Sequence, residues 1–127
     1  MKILDKKIEF DFFDAEQMER YEKESEIAQK ELNSIDINKM KQSEFINKTC
    51  ETIEKCFDNV FGEGTSKKIF EGKKNFRLCV KAFKDLVKAK KEQVNEIDDE
   101  IKDFQKELQE INTEYKPNRA TRRAKKW

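Results

Sequence analysis

Apolar positions in the C-terminal half of the chain form one ladder. Phe83, Val87, Lys90, Val94, Ile97, Ile101, Phe104, Leu108, Ile111 and Tyr115 follow one another at alternating steps of four and three, with Lys90 the one polar rung. This is a heptad seam of 33 residues, and it predicts a helix roughly 50 Å long at 1.5 Å per residue. An apolar stripe of that length has to lie against something, either another part of this chain or a partner.

Upstream, the pattern changes twice. Ile8, Phe10 and Phe12 alternate with Glu9 and Asp11, which predicts a short strand within 3–13, returning on Ile3–Leu4 through a turn at Asp5, Lys6 and Lys7. Such a two-stranded ribbon is marginal alone and needs a helix beneath it or a strand from another subunit. Asp14 then has the chemistry of a helix N-cap, with Gln17 completing a capping-box pattern. The helix it opens carries the stripe Met18, Tyr21, Ser25, Ala28, Leu32 and Ile35. After a polar connector, Ser43 is the expected cap of a second helix. That helix bears Phe45, Ile46, Cys50, Ile53, Phe57, Val60 and Phe61 on one broad face, which assigns it to the core. Gly62 and Gly64 end it. A short helix around Ser66–Phe70, capped by Thr65 or Ser66, is expected to stop at Gly72. The last helix starts near Asn75 and ends ahead of Pro117, because a residue before proline avoids the helical region. The fold class is therefore mainly α: a short N-terminal β-ribbon (1–13), then a helical bundle with a long C-terminal heptad-patterned helix. One helical domain is expected over 1–115, with a flexible basic tail over 116–127.

Composition sharpens this picture. Of 127 residues, 43% are charged and 35% hydrophobic, against about 25% charged in an ordinary globular domain. Long solvated helices suit such a chain better than a thick core. The net charge of +1 hides an asymmetry: Lys116, Arg119, Arg122, Arg123, Lys125 and Lys126 give the tail +6 without an acid, so the rest of the chain is −5. The three cysteines form no CxxC pair, and there is no histidine. Cys50 and Cys56, six apart on a helix, point about 120° from each other and suit no shared metal, so buried thiols in a reducing cytoplasm are the expectation. No run reaches the 18 or so apolar residues of a membrane span, and the N-terminus lacks a secretory apolar core.

Little here points to catalysis. Residues Gly62 to Lys67 lack the glycine spacing and the preceding strand of a phosphate-binding loop, and Glu63 would repel phosphate. Asp98, Asp99 and Glu100 are consecutive and splay around a helix rather than converging on one cation. Without histidine or a nucleophile beside a base, the sequence argues against an enzyme, and it calls for no cofactor. The tail, ending in Trp127, could contact nucleic acid through counterion release, but docking on a protein, or disorder, ranks above this because no folded nucleic-acid module accompanies it.

The ladder's partner is the main question. With Val87, Val94, Ile101, Leu108 and Tyr115 as a positions, a parallel homodimer pairs Gln93 with Asp98, Glu100 with Gln105, and Glu107 with Asn112. None is an opposite-charge pair, so the flanks do not encode a parallel zipper. An intramolecular helical hairpin is expected to occupy the Phe76–Val94 part. The distal half, Ile97 to Tyr115, is the part expected to meet another protein. In the absence of a partner, a homo-oligomer is expected through Phe83, Val87, Val94, Ile97, Ile101, Phe104, Leu108, Ile111 and Tyr115, with Phe10 and Phe12 of the ribbon as a second apolar edge.

Three segments carry a resemblance. "KIEFDFFDAEQMERYEKE" from Lys7 and "FGEGTSKKIFEGKKN" from Phe61 resemble a small family found in tailed phages and prophages of Gram-positive bacteria, and "YKPNRATRRAKK" from Tyr115 resembles the "NRAxRR" endings of phage tail assembly chaperones. Together they cover about a third of the chain. The resemblance implies a non-enzymatic protein of the host cytoplasm that binds the hydrophobic tape measure protein and keeps it soluble until tail tube subunits polymerise around it. A structural or scaffolding virion component that self-assembles through the same ladder is the alternative, and nucleic-acid binding by the tail is a third.

Overall fold

A computed structural model of the chain describes residues 1–115, with side chains described as far as Ile111. It is mainly helical, with a short N-terminal ribbon and four helices: α1 (Ala15–Ser34), α2 (Gln42–Phe61), α3 (Thr65–Phe70) and α4 (Phe76–Tyr115). The chain divides into two units, Met1–Gln93 and Val94–Trp127, and the core lies in the first.

The ribbon is shorter and tighter than the alternation predicts. Strands β1 (Lys2–Ile3) and β2 (Lys6–Lys7) pair antiparallel with Lys2 opposite Lys7 and Ile3 opposite Lys6. The pair is extended by the Ile8 N–H donating to the Met1 carbonyl at 2.9 Å. Leu4 and Asp5 form the two-residue turn at φ 50° and 65°, the left-handed values that match a hairpin's twist. Leucine rarely adopts such a conformation. Here its N–H donates to the Asp85 carboxylate at 3.1 Å, and its side chain packs on the core. Residues 8–13 are irregular rather than strand, and the side chains of Ile8, Phe10 and Phe12 turn inward. Ile8 and Phe12 are buried, so the expected exposed edge of Ile8, Phe10 and Phe12 does not exist.

The α1 cap is as expected, with the Gln17 N–H donating to Asp14 at 3.0 Å. The Gln17 side chain accepts from Asp11 N–H rather than from Asp14, so the reciprocal bond of a capping box lands three residues upstream. α1 lies antiparallel on α2: Arg20 donates to the Val60 carbonyl, and Asn59 and Cys56 reach Glu24. Tyr21, Ser25 and Ala28 are the buried part of its stripe. α2 buries Thr49, Cys50, Ile53, Cys56, Phe57 and Val60. It begins at Gln42 after Lys41, with no side-chain cap, instead of at Ser43.

The short α3 has its ends closed from elsewhere. Asp58 of α2 accepts from both the backbone N–H and the hydroxyl of Ser66, at 2.8 and 2.9 Å. It therefore does the work expected of Thr65 or Ser66 as caps. At the other end, the Lys6 ammonium donates to the carbonyls of Lys68 and Ile69 and pairs with Glu71, placing positive charge where the last carbonyls and the helix dipole favour it. That ion pair holds the Glu71 carboxyl below the usual carboxylate range. Glu71, at φ 53°, takes the left-handed terminating position expected of Gly72. Asn75 starts α4, accepting from the Leu78 N–H at 3.2 Å.

Within the first unit α4 buries Cys79, Ala82 and Leu86. Phe76 sits 5.8 Å from Phe45 of α2, a hydrogen bond joins the Cys79 and Cys50 thiols, and Gln93 accepts from the Phe12 N–H at 3.3 Å. The ladder residues Phe83, Val87 and Lys90 are only half-buried.

Replacing Asp58 by Ala removes both bonds to Ser66, whose hydroxyl is buried, and should lower unfolding free energy by about 1–3 kcal/mol. Urea denaturation followed by circular dichroism measures this; an unchanged midpoint would show that α3 holds without its cap.

Candidate interaction surface

Burial pulls the ladder apart into two environments. The core-facing stripe Cys79, Ala82 and Leu86 lies roughly 100° round the helix from the centre of the ladder, one residue step at 3.6 residues per turn. Val80, one step ahead of the ladder, and the rungs Phe83, Val87 and Lys90 therefore sit on the shoulder of the packed face and are partly open. Lys84 and Lys91, on the far flank, are exposed.

In the second unit the rungs are open. Val94 and Ile97 are half-buried, while Ile101, Phe104, Leu108 and Ile111 are exposed by 47%, 59%, 43% and 45%. Four large apolar side chains in steps of three and four form a continuous apolar stripe over three turns, which a solitary surface hydrophobe does not. Tyr115 belongs to α4, but its side chain lies outside the described ones. Arg119, Arg122, Arg123, Lys125, Lys126 and Trp127 of the basic tail lie outside the described residues.

Among the ribbon candidates, Phe12 is 1% exposed and is a core residue. It is a correction to its assignment as a partner contact: the ring packs edge-on against Tyr21 at 5.2 Å and Phe10 at 4.9 Å. Phe10 is half-buried between Phe12 and Phe61, with the Arg20 guanidinium 6.0 Å above its ring. Phe13, which the alternation had not singled out, is the exposed aromatic of this segment at 45%.

Charge along α4 is divided between its two halves. Residues 76–93 hold six basic and two acidic side chains, net +4, and residues 94–111 hold seven acidic and two basic, net −5. The signal was present in the sequence, but it needs the helix bounds before the halves can be compared.

The remaining candidate chemistry is sparse. A shallow groove of about 260 Å³ lies between the end of α1 and the middle of α2, lined by Glu31, Ser34, Lys48, Glu51 and Lys55 among others. Its lining carries charges of both signs. No group of three or more His, Cys, Asp or Glu among the described residues could hold a metal ion. No helix among them is long and apolar enough to cross a membrane. The three thiols are free and buried. Burial, reinforced by the Glu24 charge, pushes Cys56 up to about 12. Burial also raises Cys50 and Cys79, the latter further because its thiol donates to Cys50. Each is held as the poorly nucleophilic thiol.

The chain belongs to a family of unknown function, DUF6673, whose model matches residues 4–126. No curated protein and no solved structure matches it. The family match spans both units, so the packed body and the acidic half of α4 are parts of one inherited chain.

Two outcomes follow from these environments. At protein concentrations too low for self-association, changing Ile101 and Phe104 to Lys should leave the denaturation midpoint of the Met1–Gln93 unit unchanged, whereas Leu86→Ala should cost about 2–5 kcal/mol; equal losses would place the distal rungs in the core. The thiols should resist alkylation until the chain unfolds. Because their folded pKa values lie above the unfolded value of about 8.5, stability should be full below that pH and fall as pH rises toward 12, since only the unfolded thiols ionise there. Thermal melts between pH 7 and 10 test this, and a flat profile would contradict the burial.

Proposed function

We propose that this protein is a non-enzymatic tail assembly chaperone of a tailed phage or prophage, acting in the host cytoplasm. It binds helices of the tape measure protein and keeps them soluble during tail morphogenesis. The observation that carries the binding role is the exposed apolar stripe Ile101, Phe104, Leu108 and Ile111 on a heavily charged helix. Burying four such side chains is worth about 1.5–3 kcal/mol each before ordering costs, enough to hold an amphipathic helix reversibly. A tape measure chain offers such helices, which would otherwise aggregate, and helix-on-helix docking covers the apolar faces of both. The acidic flanks of the stripe, among them Asp98, Glu100 and Glu107, favour a client helix with basic flanks and keep the empty chaperone soluble. The assignment to tail assembly is supported by the resemblance of the segments from Lys7, Phe61 and Tyr115.

Co-expression with a phage tape measure protein should bring that protein into the soluble fraction and retain it on the tagged chain. Ile101→Lys with Phe104→Lys should abolish the retention. A tape measure protein that stays insoluble, or purified virions containing this chain in many copies, would overturn the reading; the second outcome would favour a structural component.

A further inference from the structure

The divided charge of α4 points to an occupant for its seam. Two copies laid parallel put acidic half on acidic half and basic on basic. Laid antiparallel, the basic residues 76–93 of each copy face the acidic residues 94–111 of the other, and the helix dipoles are opposed as well. We propose that two copies of this chain form an antiparallel two-fold dimer along α4, in the register that sets Val94 against Ile97 of the second copy. The proposal does not depend on the tape measure reading.

The flanking residues select that register. In an antiparallel pair each a rung meets a d rung, and e flanks e while g flanks g. With Val94 facing Ile97, the successive rungs Ile101, Phe104, Leu108 and Ile111 meet Lys90, Val87, Phe83 and Val80 of the second copy. Every exposed distal rung thus finds one of the half-open shoulder rungs of the other packed body. On the e side, Asp98 lies opposite Lys91, and Gln105 opposite Lys84. On the g side, Glu100 lies opposite Gln93, and Glu107 opposite Leu86. No flanking pair is like-charged, and the Asp98–Lys91 attraction occurs twice by symmetry.

Sliding one heptad in either direction loses this. One way sets Asp98 on Asp98 and Glu100 on Glu100 of the second copy; the other sets Lys91 on Lys91. Like charges facing each other across a helix pair are unfavourable. The accessible side of the packed half also agrees: Leu86 and Cys79 of the g flank are buried against the body, whereas Lys84 and Lys91 of the e flank are exposed. The attractive pairs therefore form on the open side. Lys90, the polar rung that breaks the ladder, meets Ile101 with the acidic Glu100 beside it. There its aliphatic stem can pack while its ammonium reaches a carboxylate.

Sedimentation equilibrium of the full chain, in low and high salt, tests the dimer and its direction. The wild-type chain should dimerise at micromolar concentration, more weakly at high salt. Lys91→Glu and Asp98→Lys should each raise the dissociation constant by about tenfold or more, because both symmetric pairs become repulsive. The Lys91→Glu/Asp98→Lys double variant should return to within about threefold of wild type. Residues 91 and 98 are two turns apart in one helix and too distant to pair within it, so the rescue reports contact between copies. Circular dichroism should show unchanged helix content in all three variants. A wild-type chain that is monomeric at tens of micromolar would overturn the proposal. So would single variants without effect, or a double variant no better than the singles, as a parallel pair predicts.

Discussion

The folded body depends on one connected run of aromatic rings. Tyr21, Phe12, Phe10, Phe61, Phe57 and Phe70 touch in that order, with centroids 4.9 to 5.7 Å apart and most contacts edge-to-face. The run joins α1, the irregular segment after the ribbon, α2 and α3. Edge-to-face pairs of this kind add to the area they bury, and a chain with 35% hydrophobic residues has few other means of tying four elements together. The segment after β2 does not run on as a strand, because its N–H groups go to side chains rather than to a ladder: Phe12 donates to Gln93 of α4 and Phe13 to the Asp11 carboxylate. The ribbon is thereby reduced to a small hairpin lying on a helical body.

Polar ties between distant residues complete what the rings begin. α3, with six residues, is too short to be stable alone, yet it presents Ile69 and Phe70 to the core. Its start is held by Asp58 of α2 and its end by Lys6 of the ribbon. The ribbon is fixed in turn by Asp85 of α4, which receives the N–H of strained Leu4. These bonds satisfy backbone groups that a buried helix end or turn would otherwise leave unpaired. They also explain why the core can close with so little apolar material.

The same economy separates body from binding surface. The core takes from α4 one narrow fully buried stripe, the small Cys79 and Ala82 and the larger Leu86. The ladder proper is left on the shoulder and beyond it. Apart from Phe83, which packs against the core, its apolar rungs lie outside it, between flanks whose charge reverses near Val94. Self-association and client binding would use the same rungs, so a client helix with basic flanks would compete with the second copy. Reversible capture of an aggregation-prone helix needs that kind of exchange.

Much of this was legible in the residues. The four helices, the Asp14 and Asn75 starts and the α1 stripe Tyr21, Ser25 and Ala28 follow from periodicity and capping chemistry, which act over one or two turns and are written locally. The heptad seam and its polar rung were likewise legible. What periodicity could not decide was which apolar face of α4 the body would take, because Cys79, Ala82 and Leu86 and the ladder rungs are both heptad-spaced and only packing chooses between them. Nor could local pattern show that Phe12 belongs to the core or that Asp58 and Lys6 close α3. The bonds to Lys6 and Asp85 join residues more than sixty positions apart, and their partners are fixed only once the aromatic rings have met.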